Sequence, residues 1–282
     1  MKRIVKIIIS AIAALQLATV APAQEQTIQM GTMTWGDLTP ITGISKKALE
    51  NAGYAVDVTQ FTEWGIAYAA LAKGDIEILV SQVNYTAQDY WDKNKNRLEK
   101  LSPVSHGLNY GIVVPDYVTI DTIDELAANA DKFKGQIVGI EPGAGLMRHT
   151  RNAIEAYGLD MRLIEGSTPA MTAALQSAVE RNEWIAATLW EPSWMKQKYP
   201  VKYLKDTKGV YPPTQTYYWI ATKGWAAENP KAREVLASVY VPLEDINALN
   251  GAVKDGQTMD EAVADWVVAH QELMTIWLNN AE

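Results

Sequence analysis

Trp35, Tyr85 and Trp190 each stand where an apolar, β-rich run of the chain stops. Indole and phenol rings present electron-rich faces, and such faces attract cations, quaternary ammonium groups above all. The chain has ten Trp and thirteen Tyr but only two Phe. A core can be filled with Phe or Leu, so rings at strand ends point to exposed π faces rather than to bulk. For most of the Trp, packing is the simpler reading: Trp225, Trp266 and Trp277 as core, Trp194 as structural, and Trp64 as packing beside the cleft. Tyr217 to Trp219 and Glu141 are left open between cleft lining and structure.

A second chemistry lies at Gly143-Ala144-Gly145, which opens a helix directly after a strand-like run. Amides in the first turn of a helix lack intrahelical acceptors and carry the positive end of the dipole. Gly145 and Leu146 could therefore donate to a carboxylate. The same glycines also suit a plain tight turn. A dinucleotide fingerprint is not completed, because position 148 is Arg where a third glycine belongs. A ring cage for a trimethylammonium head beside an amide seat for a carboxylate describes a betaine.

Catalytic signatures are scarce. His106, His149 and His270 are scattered, Cys is absent, and neither a G-x-S-x-G elbow nor a phosphate-binding Walker loop occurs. No metal or cofactor is expected. An exported hydrolase using Glu141 and Glu191 as a carboxylate pair is the alternative from another class.

The elements that must position these residues alternate strand and helix. Strands are expected at 28–34, 55–61, 76–83 and 110–114, with helices at 44–51, 65–73 and 87–100 between them. The rhythm then restarts, with strands at 137–140, 161–164, 184–189 and 201–204, helices at 146–157 and 168–181, and a strand at 216–221 before a helical tail. This alternation implies α/β lobes, each a mainly parallel sheet flanked by helices. Two such units suggest two lobes: residues 24–114 with 215–282, and 115–214, joined by a hinge the chain crosses twice. Ligands in open α/β sheets sit beyond the carboxyl ends of strands. Trp35, Tyr85, the 141–146 turn and Trp190 all fall there.

The N-terminus sets the compartment. Lys2, Arg3 and Lys6 precede an apolar run from Ile7 to Val20, and Ala21-Pro22-Ala23 supplies a cleavage pattern. Residues 1–23 therefore read as a secretory signal peptide without a lipid-anchor cysteine, and the mature protein is expected to be soluble in the periplasm. Cleavage takes the basic count from 25 to 22 against 33 acidic residues, a net charge of −11. That balance argues against nucleic acid and anionic membranes as partners.

Over nearly the whole mature chain the sequence resembles the glycine betaine-binding proteins of quaternary-ammonium ABC importers. The resemblance rests on Ile137 to Gly145 running into a helix that ends Tyr157-Gly158-Leu159-Asp160, on Glu165-Gly166-Ser167 with the helix after it, and on Trp190-Glu191-Pro192-Ser193-Trp194. Leu71 to Asp75 and Leu101 to Pro115 add to it. It implies a two-lobed periplasmic binding protein that closes on a small zwitterionic or cationic ligand and delivers it to an inner-membrane permease, acting as a monomer. It also implies roles: Trp190 and Trp35 as cage rings, and Gly145 and Leu146 as carboxylate donors. Tyr85 stands where the family commonly has Trp. Asp37 and Tyr110 match an acidic residue and a cage tyrosine of the choline-binding branch. The expected ligand is glycine betaine or a close relative; choline, carnitine, trimethylamine N-oxide and dimethylsulfoniopropionate are the alternatives.

Overall fold

A computed structural model describes residues 27–280; the expected signal peptide lies outside them. Among the described residues, nine strands form one continuous curled sheet in the order β2-β1-β3-β9-β4-β7-β5-β6, with β8 also on β4. β1 (Thr27–Met33) lies parallel to β2 (Ala55–Phe61) and to β3 (Ile78–Ser81). β9 (Gln215–Thr222) is antiparallel to β3 and to the first part of β4 (Leu98–Pro115). The second part of β4 is antiparallel to β7 (Ala187–Glu191) and β8 (Val201–Tyr203). β5 (Gln136–Val138) runs parallel to β6 (Arg162–Ile164) and β7. Parallel pairing of the expected kind thus holds at both ends of the sheet, while the centre, built from the strands that pass between the two halves, is antiparallel.

β4 is the element that sequence patterning least anticipates. It is 18 residues long, whereas a helix was expected to run to Lys100 and only 110–114 to be strand. The helix, α3 (Gln88–Asn94), stops early, and pairing between β4 and β9 shifts register around Pro103 and Gly107. Those irregularities break the two-residue alternation by which a strand is recognised. β4 changes partner at Leu108/Asn109: Leu108 faces Gln215 of β9, and Asn109 faces Glu191 of β7. The chain returns through residues 204–214 into β9.

Helices cover both halves. α1 (Leu38–Asn51) starts earlier than expected, because Pro40 lies in its first turn, where a missing N–H costs nothing. α2 (Trp64–Lys73) packs on the β1–β3 half of the sheet with Trp64, Tyr68 and Leu71 buried. In the second half, α4 (Glu125–Ala128) precedes α5 (Gly145–Tyr157), and α6 (Thr168–Arg181) is capped by Ser167, whose hydroxyl accepts from Ala170 N. A separate core in the second half of the molecule includes Ile112, Val114, Ile123, Phe133 and Ile137. The C-terminal helices return to the first half and bury Trp225, Trp266 and Trp277, as core packing requires.

Candidate functional site

Three connections and one strand pair meet between the two halves. β1 ends in the turn that carries Trp35 and Asp37 into α1; β3 ends in Gln82 and the loop to Thr86; β5 leads through Ile140 to Leu146 into α5; β4 and β7 bring Tyr110 and Trp190 opposite each other in register. Together they line one partly open cavity whose surface is chiefly apolar. Its walls include Trp35, Asp37, Gln82, Thr86, Tyr110 and Trp190, closed from the α5 side by Ile140 and Ala144 to Leu146. Six of the seven residues expected at the site therefore share one cavity. Tyr85 does not. Tyr85 is 37% exposed, and its carbonyl accepts from Arg148 Nη2; Thr86, the next residue, turns inward instead.

The rings are braced from behind. Trp64, fully buried, packs edge-on against Trp35 at 5.4 Å between centroids. Tyr211 meets Tyr110 edge-on at 6.2 Å, and the His149 ring lies 5.8 Å from Tyr110. The Thr86 hydroxyl lies 3.3 Å from the Tyr110 hydroxyl and donates to Gln215 Oε1 at 2.9 Å, and Thr86 N also donates to that oxygen. Burial pushes the Tyr110 phenol up to about 12, so it stays neutral. Burial likewise holds His149 below the usual imidazole range, with Arg148 adding to the effect.

Asp37 is the charged group of the site. Its Oδ2 accepts from Tyr217 OH at 3.1 Å and from Gln82 Nε2 at 3.2 Å, while Oδ1 is buried without a partner. Burial pushes its carboxyl up to about 7 against the pull of those donors. The Trp190 indole N–H approaches the carboxyl closely enough to favour its charged form without completing a hydrogen bond. Tyr217, open on sequence grounds, thus stands behind the site and holds Asp37.

At the opposite wall the α5 N-terminus points inward. Among the described residues, neither the Gly145 nor the Leu146 amide finds a backbone acceptor. Gly145 is fitted against the other half of the molecule: a Cβ there would lie 2.3 Å from the Thr86 carbonyl oxygen and 2.7 Å from Thr86 Cα. Gly145→Ala is therefore expected to hold the cleft ajar and weaken ligand binding by at least about tenfold, with a melting temperature near that of the unmodified protein; calorimetric titration and thermal unfolding check it. Around the mouth, Tyr90 OH donates to the Gly143 carbonyl at 3.2 Å and Arg148 bridges to Asp89 at 2.8 Å. Glu63 faces Gly143 and Glu141, and burial together with the Glu141 charge raises its carboxyl above the usual range.

Glu141 does not form a catalytic pair with Glu191. Both of its oxygens are engaged by Thr168, at 2.9 Å from N and 2.8 Å from Oγ1, at the start of α6. Among the described residues no three His, Asp or Glu side chains group to hold a metal.

The family described as the substrate binding domain of the ABC-type glycine betaine transport system matches residues 26–269. The chain belongs to this family. As a family member it is a substrate-binding protein of a transport system, not an enzyme, which sets the hydrolase reading aside. The glycine betaine/carnitine transport binding protein GbuC of Listeria monocytogenes is 36% identical over 149 residues, an alignment that takes in 52% of this chain and spans half the length of that relative. The glycine betaine/proline betaine-binding periplasmic protein of Escherichia coli is 23% identical over 83% of this chain and 84% of its own length. Lactococcal OpuAC, solved closed with glycine betaine, superposes with a TM-score of 0.84 at 30% identity over 90% of this chain and 100% of that one. These two-lobed neighbours share the present fold.

Sequence reasoning missed Gln82, Thr86, Leu108 and Ile140. Gln82 carried a usable signal, as a lone amide closing the apolar run Ile78-Leu79-Val80-Ser81 at the carboxyl end of a strand. Thr86 carried none, because the loop between β3 and α3 has no period to say which side chain turns inward.

Proposed function

We propose that this family member binds glycine betaine or a similar methylated onium compound in the cavity between Trp35, Tyr110 and Trp190, and delivers it to an ABC permease in the inner membrane. One observation carries the reading: three aromatic rings, a buried carboxyl and an unpartnered helix N-terminus converge on one small cavity. The rings and Asp37 suit the trimethylammonium head, and the Gly145 and Leu146 amides suit the carboxylate. Each ring contributes about 0.5–2 kcal/mol to a desolvated cation, and each charge-assisted amide bond about 1.5–3 kcal/mol. Such contributions offset the cost of ordering and reach micromolar affinity, about −8 kcal/mol.

Asp37 favours a second reading, since a carboxyl within the cage also suits a ligand with net positive charge, such as choline. Calorimetric titration with glycine betaine, choline, carnitine, trimethylamine N-oxide and dimethylsulfoniopropionate separates the two. The first reading expects glycine betaine to bind at micromolar concentration and more tightly than choline; the reverse order supports the second, and no heat from any of them contradicts both.

We infer further that the lobes divide where β4 changes partner, residues up to 108 with 215 onward forming one and 109–214 the other. In this reading the mature protein acts as a periplasmic monomer after loss of residues 1–23.

A further inference from the structure

Among the described residues that wall the cavity, Asp37 is the one charged side chain. It is 2% exposed, and the groups that hydrogen-bond it are neutral. Tyr217 OH from β9 and Gln82 Nε2 from the end of β3 donate to Oδ2, the Trp190 indole approaches from β7, and its own main-chain amide lies beside it. Burial keeps the phenols of Tyr217 and, across the cavity, Tyr110 above their ordinary range, so both stay neutral. His149, beside Tyr110, is held below the usual imidazole range, and the Arg148 guanidinium is turned to Asp89 and the Tyr85 carbonyl at the mouth. No wall residue supplies the full positive charge that a buried carboxylate needs.

Two acceptor atoms here are also unmatched. Asp37 Oδ1 and Gln82 Oε1 are both buried and without a partner, although Gln82 Nε2 meets Asp37 Oδ2 at 3.2 Å. A protonated carboxyl and a primary amide form a ring of two hydrogen bonds, amide N–H to acid C=O and acid O–H to amide C=O. The first of those bonds is present, and the two orphan oxygens are the ends the second would join. Ionised, Asp37 leaves both acceptors unmatched, which is costly in a buried place; one proton satisfies both. The Gln82 main chain is fixed as well, its carbonyl accepting from Ala87 N at 3.0 Å.

We propose that Asp37 and Gln82 share a proton in the unliganded protein, and that the cationic head of the ligand displaces it, so that capture is coupled to release of one proton. The Asp37 O–H bond breaks, and the proton leaves to water or buffer. The ammonium then supplies the positive charge that the carboxylate lacks. Affinity is thus full above about pH 7 and falls about tenfold for each pH unit below it, until the bound complex itself takes up the proton. Acidification therefore promotes discharge of the ligand. The proposal rests on the cage reading above, and it makes Gln82 a positioning residue.

The test is calorimetric titration of the full mature protein with glycine betaine at about pH 6 and about pH 8.5, each in buffers of different ionisation enthalpy. The dependence of heat on buffer counts the protons released, and glycine betaine itself does not titrate over this range. The expected count is about one at the lower pH and about zero at the higher, with Kd about tenfold weaker at the lower. Binding at both pH values with a count near zero at each overturns the proposal and leaves the cage reading standing; no binding at either overturns both. Asp37→Asn should abolish the count and His149→Gln should keep it; the reverse assigns the proton to the imidazole and overturns the proposal. Difference infrared spectra serve even where Asp37→Asn fails to fold or bind. Adding glycine betaine at the lower pH should remove a protonated-carboxyl C=O band, and in ligand-free Gln82→Met that band should move to higher frequency. A band unmoved in the folded methionine variant overturns the sharing with Gln82.

Discussion

Replacing Trp190 with alanine is expected to weaken glycine betaine binding by about 2 kcal/mol or more, roughly thirtyfold. Trp190 lies on β7 directly opposite Tyr110 on β4, and its ring forms a wall of the cavity between the two halves of the sheet. Removing it deletes one cage face and leaves the strand pairing untouched. Trp190→Phe keeps a π face and should recover part of the affinity. The competing reading is a packing role, since Trp190 is 5% exposed. A packing residue truncated to alanine loses about 3–5 kcal/mol of stability with affinity of the folded fraction unchanged. Unfolding curves and titrations on both variants distinguish these outcomes, and a large stability loss with normal affinity would remove Trp190 from the cage.

The second large effect concerns Asp37 and pH. Its carboxyl is raised from the ordinary 3.8 to about 7 by burial, so between those values the folded protein holds a proton that the unfolded chain has released. Stability attached to this group is thus fully present below about pH 4, falls as pH rises towards 7, and stays low above it. The difference amounts to something on the order of 4 kcal/mol. Asp37→Asn keeps an acceptor for Tyr217 and cannot ionise. Its stability relative to the parent protein is therefore expected to be much more favourable at pH 8 than at pH 4.5, measured by denaturant unfolding without ligand. A difference that does not change with pH would contradict the burial argument. A cation seated beside Asp37 holds the carboxyl ionised, so saturating ligand should remove much of this pH dependence.

How far the site was legible in the sequence follows from what determines each residue's direction. Trp35 and Trp190 lie at or next to strand ends, Gly145 and Leu146 at a helix start, and in such places local pattern fixes where a group points. Asp37 and Tyr110 came only from the family resemblance. Tyr110 opens the stretch of β4 that the pattern does show, but its place opposite Trp190 depends on the pairing of β4 with β7. Tyr85 was expected at the cage because it follows the third strand, yet the loop turns Thr86 inward and leaves Tyr85 at the mouth with its carbonyl on Arg148. No periodic signal separates those two neighbours. The alternating strands and helices fixed the parallel ends of the sheet, whereas the antiparallel centre depends on long-range pairing of β4 with β7 and β9 that a local pattern does not encode.

The central claim is that the cavity recognises a positive charge through its ring faces while the α5 N-terminus takes a carboxylate. Glycine betaine and 3,3-dimethylbutanoate have the same shape and the same carboxylate, and differ in carrying a quaternary nitrogen or a neutral quaternary carbon. Calorimetric titration of both against the mature protein isolates the charge. The account predicts micromolar binding of glycine betaine and at least about a hundredfold weaker binding of the carbon isostere; equal binding of the two, or no binding of glycine betaine, would contradict it.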